Sequence, residues 1–395
     1  MKPPFSVMAA GVPAESQPPL ALYVHLPWCV RKCPYCDFNS HSGRDVPPFD
    51  AYVERLLLDL ELELREPAAR RPIASIFIGG GTPSLFPGQA IRHLLDGIRT
   101  RVALLPEAEI TLEANPGTVD AAHFAAYREA GVNRLSIGIQ SLSAPHLERL
   151  GRIHTPAEAR AAVQIARAQG FDNLNLDLMF ALPGQTLDMA RADLDALIEL
   201  DPEHVSYYQL TLEPDTAFGA HPPELPEPDL AAEMGLEGAA RLDAASYGRY
   251  EVSAYARPGR QCRHNLNYWR FGDYLGIGAG AHGKLSTANT RIRRTEKPAH
   301  PNRYLNADPA QPLGIRYELS EADLVLEFAL NALRLTHGFE PGLFTATTGL
   351  PWSRIAPELQ SAARDGLLSL SPEQIMPTPL GRDFLDDLVG RFLSV

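Results

Sequence analysis

From Leu20 to Glu213 short apolar runs alternate with longer amphipathic stretches. The apolar runs are LALYVHL (20–26), IASIFIGGG (73–81), EITLEANP (109–116), RLSIGIQS (134–141), NLNLDLMFAL (173–182) and HVSYYQLTLE (204–213). They are rich in Val, Ile and Leu and predict strands. Between them lie helix-like segments at 48–66, 88–102, 118–131, 155–170 and 186–200. Strands alternating with helices predict right-handed crossovers and a parallel sheet. Six such strands make an open or partial (β/α)6 barrel rather than the closed eight-stranded form, with the ligand at the C-terminal strand ends.

The regularity stops at the proline-rich HPPELPEPDL (221–230). A helix near 230–246, a strand in YEVSAYARPG (250–259) and the glycine-dense DYLGIGAGAHGKL (273–285) follow. The last segment opens with LSEADLVLEFALNALRL (319–335), where Ser320 and Asp323 form a capping box before an apolar helix. The expected divisions are a flexible tail (1–19), a core (20–220), a linker and barrel extension (221–311) and a small α-rich unit (312–395). That last unit is expected to cover the barrel mouth or to dock a partner. No internal repeat is visible.

Composition narrows the class. Hydrophobic residues make up 45% and charged residues 21%, enough for a sizeable core. Asp and Glu (48) outnumber Lys and Arg (36), and the net charge of -12 argues against nucleic acid as a partner. No apolar run is long enough to span a bilayer, and the leader lacks an apolar core of signal-peptide length. Four cysteines in a chain of this length make no disulfide framework, so a cytoplasmic setting is expected.

Three of those cysteines, Cys29, Cys33 and Cys36, fall within eight residues on the loop after the first strand. Thiolates so close bind zinc or an iron–sulfur cluster. His25 would complete a Cys3His zinc site; a cluster held by three cysteines would leave one iron free for a ligand. Other strand ends carry matching chemistry. The glycines of GGGTPS (79–84) would let a ligand approach the backbone. Glu113, Gln140 and Asp177 stand at or in strands, and a carboxylate in an apolar run needs a partner or a ligand. Arg152 can meet a carboxylate as a fork. Together they describe a pocket for S-adenosylmethionine over an iron with an open coordination site.

The C-x3-C-x2-C loop with Tyr35 inside it, and GGGTP after the second strand, resemble the radical S-adenosylmethionine (SAM) superfamily. More narrowly, YVHLPWC, FIGGGTPSLF, EANP, RLSIGIQS, GRIH and LPGQT resemble its HemN/HemW group, over nearly the whole chain after the leader. The resemblance implies a partial radical SAM barrel with a winged-helix-like C-terminal domain. It also implies a [4Fe-4S] cluster on Cys29, Cys33 and Cys36, chelated by SAM. Tyr23, Tyr35, Gly80, Gly81, Thr82, Glu113, Gln140, Arg152, Asp177 and Thr211 match the group's cofactor positions.

Two details divide the group. Its coproporphyrinogen III dehydrogenases carry a further cysteine two residues after the third; here that residue is Phe38. The H-N-x-x-Y-W element, His264 to Trp269, marks the HemW branch of heme chaperones. His264, Tyr268, Trp269 and Cys262 are therefore the heme candidates, with His282 behind them; a histidine can ligate iron and flat aromatics can pack a porphyrin. The expected function is heme binding and transfer to an acceptor hemoprotein, leaning away from catalysis, with no catalytic residue assigned. The alternative is radical oxidative decarboxylation of coproporphyrinogen III. A homodimer and a membrane-associated acceptor are further expectations.

Overall fold

The computed structural model describes residues 18–43, 46–287, 291–308, 311 and 313–394. Of the expected tail, residues 1–17 lie outside the described residues.

The core strands are β1 (Leu20–Leu26), β2 (Ile73–Gly80), β3 (Leu104–Ala114), β4 (Arg134–Gln140), β5 (Leu174–Phe180) and β6 (His204–Gln209). Neighbours pair in parallel and in chain order, as from Tyr23↔Phe77 through Asp177↔Ser206. The crossovers carry α1 (Phe49–Glu63), α2 (Gly88–Arg99), α3 (Ala121–Ala130), α4 (Ala144–Arg149), α5 (Pro156–Ala168) and α6 (Leu187–Ile198). Three of them, α3, α5 and α6, start on capping side chains, Asp120, Thr155 and Thr186. Thr155 and Glu158 close a capping box on α5, with Pro156 in its first turn. Leu22, Ile76, Leu112, Ile137, Leu176 and Leu194 are almost completely excluded from solvent, which makes the sheet–helix interface one continuous core.

The segment after the proline-rich connection builds onto the same sheet. After α7 (Pro228–Ala244), β7 (Gly248–Arg249) and β8 (Ala254–Ala256) extend it antiparallel beyond β6. At the other edge β9 (Asp273–Ile277) lies parallel to β1 and follows α8 (Arg263–Trp269). The strands β10 (His282–Ser286), β11 (Ile292–Glu296) and β12 (Ile315–Glu318) continue antiparallel from it. The result is a twelve-stranded open sheet, the expected partial barrel with extra edge strands. Lys297, at the end of β11, reaches Asp59 and Glu63 of α1, each at 2.6 Å, and is fully buried. Such a pair stabilises only because each charge has its partner.

The C-terminal region is helical with a small hairpin: α9 (Glu321–Ala332), α10 (Pro341–Thr348), α11 (Ala356–Arg364), β13 (Leu368–Leu370), β14 (Ile375–Pro377) and α12 (Leu385–Gly390). The Ser320–Asp323 capping box starts α9. A second core gathers Phe328, Phe339, Phe344 and Leu359. Phe271 joins it edge-on to Phe328 at 5.8 Å, Arg334 lies 4.3 Å over Trp269, and Arg294 of β11 pairs with Glu327 at 2.5 Å. The region thus docks against the end of α8 and against β11.

Candidate functional site

The loop after β1 places Cys29, Cys33 and Cys36 on one wall of a cavity of about 430 Å³ at the C-terminal ends of the parallel strands. The three thiols are half-buried and free. Each sulfur meets a polar group. Thr82 donates to Cys29 Sγ at 3.3 Å, Arg152 to Cys33 Sγ at 3.7 Å, and Cys36 Sγ lies 3.9 Å from the Ser40 hydroxyl. Burial pushes the Cys29 and Cys36 thiols upward, and the Thr82 and Ser40 hydroxyls act against it. Among the described residues no three His, Cys, Asp or Glu side chains converge on a single metal ion. His25 cannot complete a zinc set as it stands, because Asn39 O occupies Nε2 at 2.8 Å and the Tyr23 hydroxyl meets Nδ1 at 2.9 Å. Three thiols on one wall with donors behind them fit a multi-iron cluster better than a lone ion.

The glycine edge follows β2, and the chain itself requires it. Gly80 has φ of 117°, and a Cβ there would lie 2.6 Å from the His25 ring; one on Gly81 would lie 2.6 Å from the Trp28 carbonyl oxygen. The edge is packed against the cysteine loop, so its position follows that of the cysteines. The Gly80 amide donates to Glu113 Oε2 at 3.0 Å. Burial, then the neighbouring Asp177, raises the Glu113 carboxyl to about 7, and burial raises Asp177 as well. Two half-buried acids that resist ionisation suit a ligand bearing amino and hydroxyl groups.

Gln140 ends β4 at φ 68°, a left-handed conformation that costs a non-glycine residue about 1–3 kcal/mol and marks functional sites. Its Oε1 accepts from the Tyr208 hydroxyl at 2.7 Å. Arg152 donates to Gly138 O at 2.7 Å, which holds its guanidinium beside Cys33. Tyr35, Thr82, Glu113, Gln140, Arg152, Asp177 and Thr211 all line the cavity with the cysteines. Tyr23 and Gly80 line an adjoining groove, which shares Glu113 and Phe38 with the cavity.

Sequence reasoning missed the cavity floor: Arg134, Asn175, His204 and Asn265. Arg134 is 2% exposed, and its Nε has no hydrogen-bond partner among the described residues. An apolar-looking strand start, with its only charge at the boundary, gave no sign of it.

The H-N-x-x-Y-W element carries the heme candidates His264, Tyr268 and Trp269. It forms α8, tucked under the strand starts, and His264 is 1% exposed. Its Nδ1 meets Ser75 Oγ at 3.0 Å and its Nε2 meets the Tyr268 hydroxyl at 3.0 Å. Burial, helped by Arg134, pushes its pKa down to about 3. Cys262 is equally buried; its Sγ donates to Glu109 at 3.6 Å, and burial pushes the thiol up to about 12. Trp269 packs under Arg334. None of these three presents a free ligand atom in this structure; Tyr268 lines an open groove, and His282 lines it too.

A family model of the radical SAM superfamily matches residues 23–197, and one of the HemN C-terminal domain matches 319–384. The chain is 49% identical to "Heme chaperone HemW" of Escherichia coli K12, over 95% of this chain and 99% of that one. It is 45% identical to the protein of the same name from Haemophilus influenzae, over 95% and 98%. Among solved structures, E. coli coproporphyrinogen III oxidase (HemN), described as a radical SAM enzyme, superposes with a TM-score of 0.80. It covers 95% of this chain and 90% of that one at 22% identity, a likeness of fold. The three-thiol loop, the glycine edge and identity over nearly the whole length agree: the chain belongs to the radical SAM superfamily and, within it, to the HemW family.

Proposed function

We propose that this protein is a heme chaperone that carries a [4Fe-4S] cluster and SAM, binds heme and hands it to an acceptor hemoprotein. The observation that carries the reading is near-full-length identity to heme chaperones from several bacteria. Cys29, Cys33 and Cys36 hold the cluster; Gly80, Gly81, Thr82, Glu113, Gln140, Arg152, Asp177 and Thr211 hold SAM, with Tyr23 and Tyr35 alongside. When bound, the two groups together supply a one-electron route to a carbon radical. The chain's own residues do the rest: Arg152 and Thr82 donate to the Cys33 and Cys29 sulfurs, and Glu113 offers a carboxyl that titrates near 7.

Phe38 stands where the dehydrogenases of the group have a cysteine, and it is 57% exposed on the rim of the cavity. An exposed phenyl ring there suits a porphyrin face, not a thiol's chemistry. Four free cysteines support action in the cytoplasm. Among the described residues no helix is long and apolar enough to cross a membrane. We take 20–220 as the cofactor core, 221–311 as its extension and 312–395 as the accessory unit. Heme titrated anaerobically into the cluster-loaded protein should give saturable binding. Failure to bind heme with and without cluster, with conversion of coproporphyrinogen III to protoporphyrinogen IX, would replace this reading with the dehydrogenase.

A further inference from the structure

Beside the cofactor cavity, between the cysteine loop and the β9–β10 edge, lies a second groove of about 430 Å³. Its walls are aromatic. Tyr268 and Tyr274 stand edge to face at 4.5 Å, Tyr23 lies on the inner side, and Phe38 closes it toward the cavity. The tyrosine hydroxyls are turned inward: Tyr268 to His264, Tyr274 to Arg294 and Tyr23 to His25. Pinned in this way, the tyrosines leave ring surface for the groove.

Two imidazoles line it. His25 is 5% exposed with both ring nitrogens engaged. His282, the first residue of β10, is exposed, and its ring makes no hydrogen bond or ion pair with the described residues. A free imidazole beside flat apolar walls is the pairing that iron porphyrins need: a nitrogen for the metal and a surface for the macrocycle.

Resting on the heme-chaperone reading, we infer that heme binds in this groove with His282 as its iron ligand and with its macrocycle against Phe38 and Tyr268. The H-N-x-x-Y-W element then serves heme indirectly: His264 fixes the Tyr268 ring and does not touch iron. Phe38 and Glu113 border both spaces, so heme in the groove adjoins the cofactor site. The test uses the full chain, cluster-loaded and anaerobic, titrated with hemin and followed by Soret absorption and electron paramagnetic resonance. His282→Ala should lower heme affinity at least about tenfold and abolish the imidazole-type spectrum. Added imidazole should restore that spectrum, and cluster absorption should not change. His41→Ala and His300→Ala, which remove a nearby ring pair 5.3 Å apart, should behave as wild type. Wild-type affinity and spectrum in His282→Ala, or loss that follows His41 or His300 instead, would overturn the assignment. Absence of heme binding by the wild-type chain would remove the chaperone reading itself, and the groove assignment with it.

Discussion

Replacing His264 by alanine should damage the fold before it damages the chemistry. The side chain makes two hydrogen bonds of 3.0 Å, to Ser75 and Tyr268, and its ring packs 5.2 Å from Phe77 and 4.9 Å from Tyr268. Each bond contributes about 1 kcal/mol net, and the two hydroxyls left behind lose their partners. The aromatic contacts and the cavity add about 1–2 kcal/mol, for a total near 3–4 kcal/mol. The sign with pH follows from its depressed pKa. Folded His264 takes a proton only near pH 3, whereas in the unfolded chain it does so near 6.5. Its contribution is therefore whole above pH 6.5 and is lost as the pH falls toward 3, by about 1.4 kcal/mol per unit. Between pH 7 and 5.5 that is about 1 kcal/mol. His154 and His204 are also depressed by burial and act in the same window, so the quantity to read is wild type minus variant. Urea unfolding at both pH values supplies it, and heme titration of the folded variant runs alongside. A variant within about 0.5 kcal/mol of wild type, with unchanged acid sensitivity and lost heme ligation, would refute the bracing role.

Other substitutions separate the remaining parts. Cys33→Ala should abolish the broad visible absorption of the anaerobically purified cluster; an unchanged spectrum would contradict the cluster assignment. With Glu113 titrating near 7, its ionised fraction rises about tenfold from pH 6 to 8. SAM binding measured by equilibrium dialysis should tighten accordingly, and Glu113→Gln should bind weakly with that component gone; identical pH profiles would contradict its role. Lys297→Met leaves Asp59 buried without its cation, while Glu63 keeps Arg316 at 3.0 Å, and should cost about 3–5 kcal/mol in urea unfolding. A neutral result would mean that the acids are protonated in the native state.

The core strands were legible because burial on both faces leaves a near-continuous Val/Ile/Leu signal; the run at 134–141 became Arg134–Gln140. The glycine stretch at 273–285 hid two strands, β9 and β10. A Cβ on Gly276 would lie 1.9 Å from the His282 carbonyl oxygen, so close strand approach demands the residue that carries least strand propensity. The arginine-bearing β11 was silent for another reason: two of its five positions, Arg293 and Arg294, face the charged partners Glu66 and Glu327. Among site residues, the cysteines and strand-end polar groups announced themselves by local spacing. The burial of His264 did not, since it depends on Ser75, 189 positions earlier in the chain. The groove at His282 is assembled from six separate stretches of the chain and has no local pattern at all.

The central claim is heme handling, and anaerobic heme titration of the cluster-loaded full chain tests it most directly. The account predicts a saturable, stoichiometric Soret response and passage of the bound heme to an added apo-hemoprotein. No saturable uptake, in a preparation that turns coproporphyrinogen III into protoporphyrinogen IX, would contradict it.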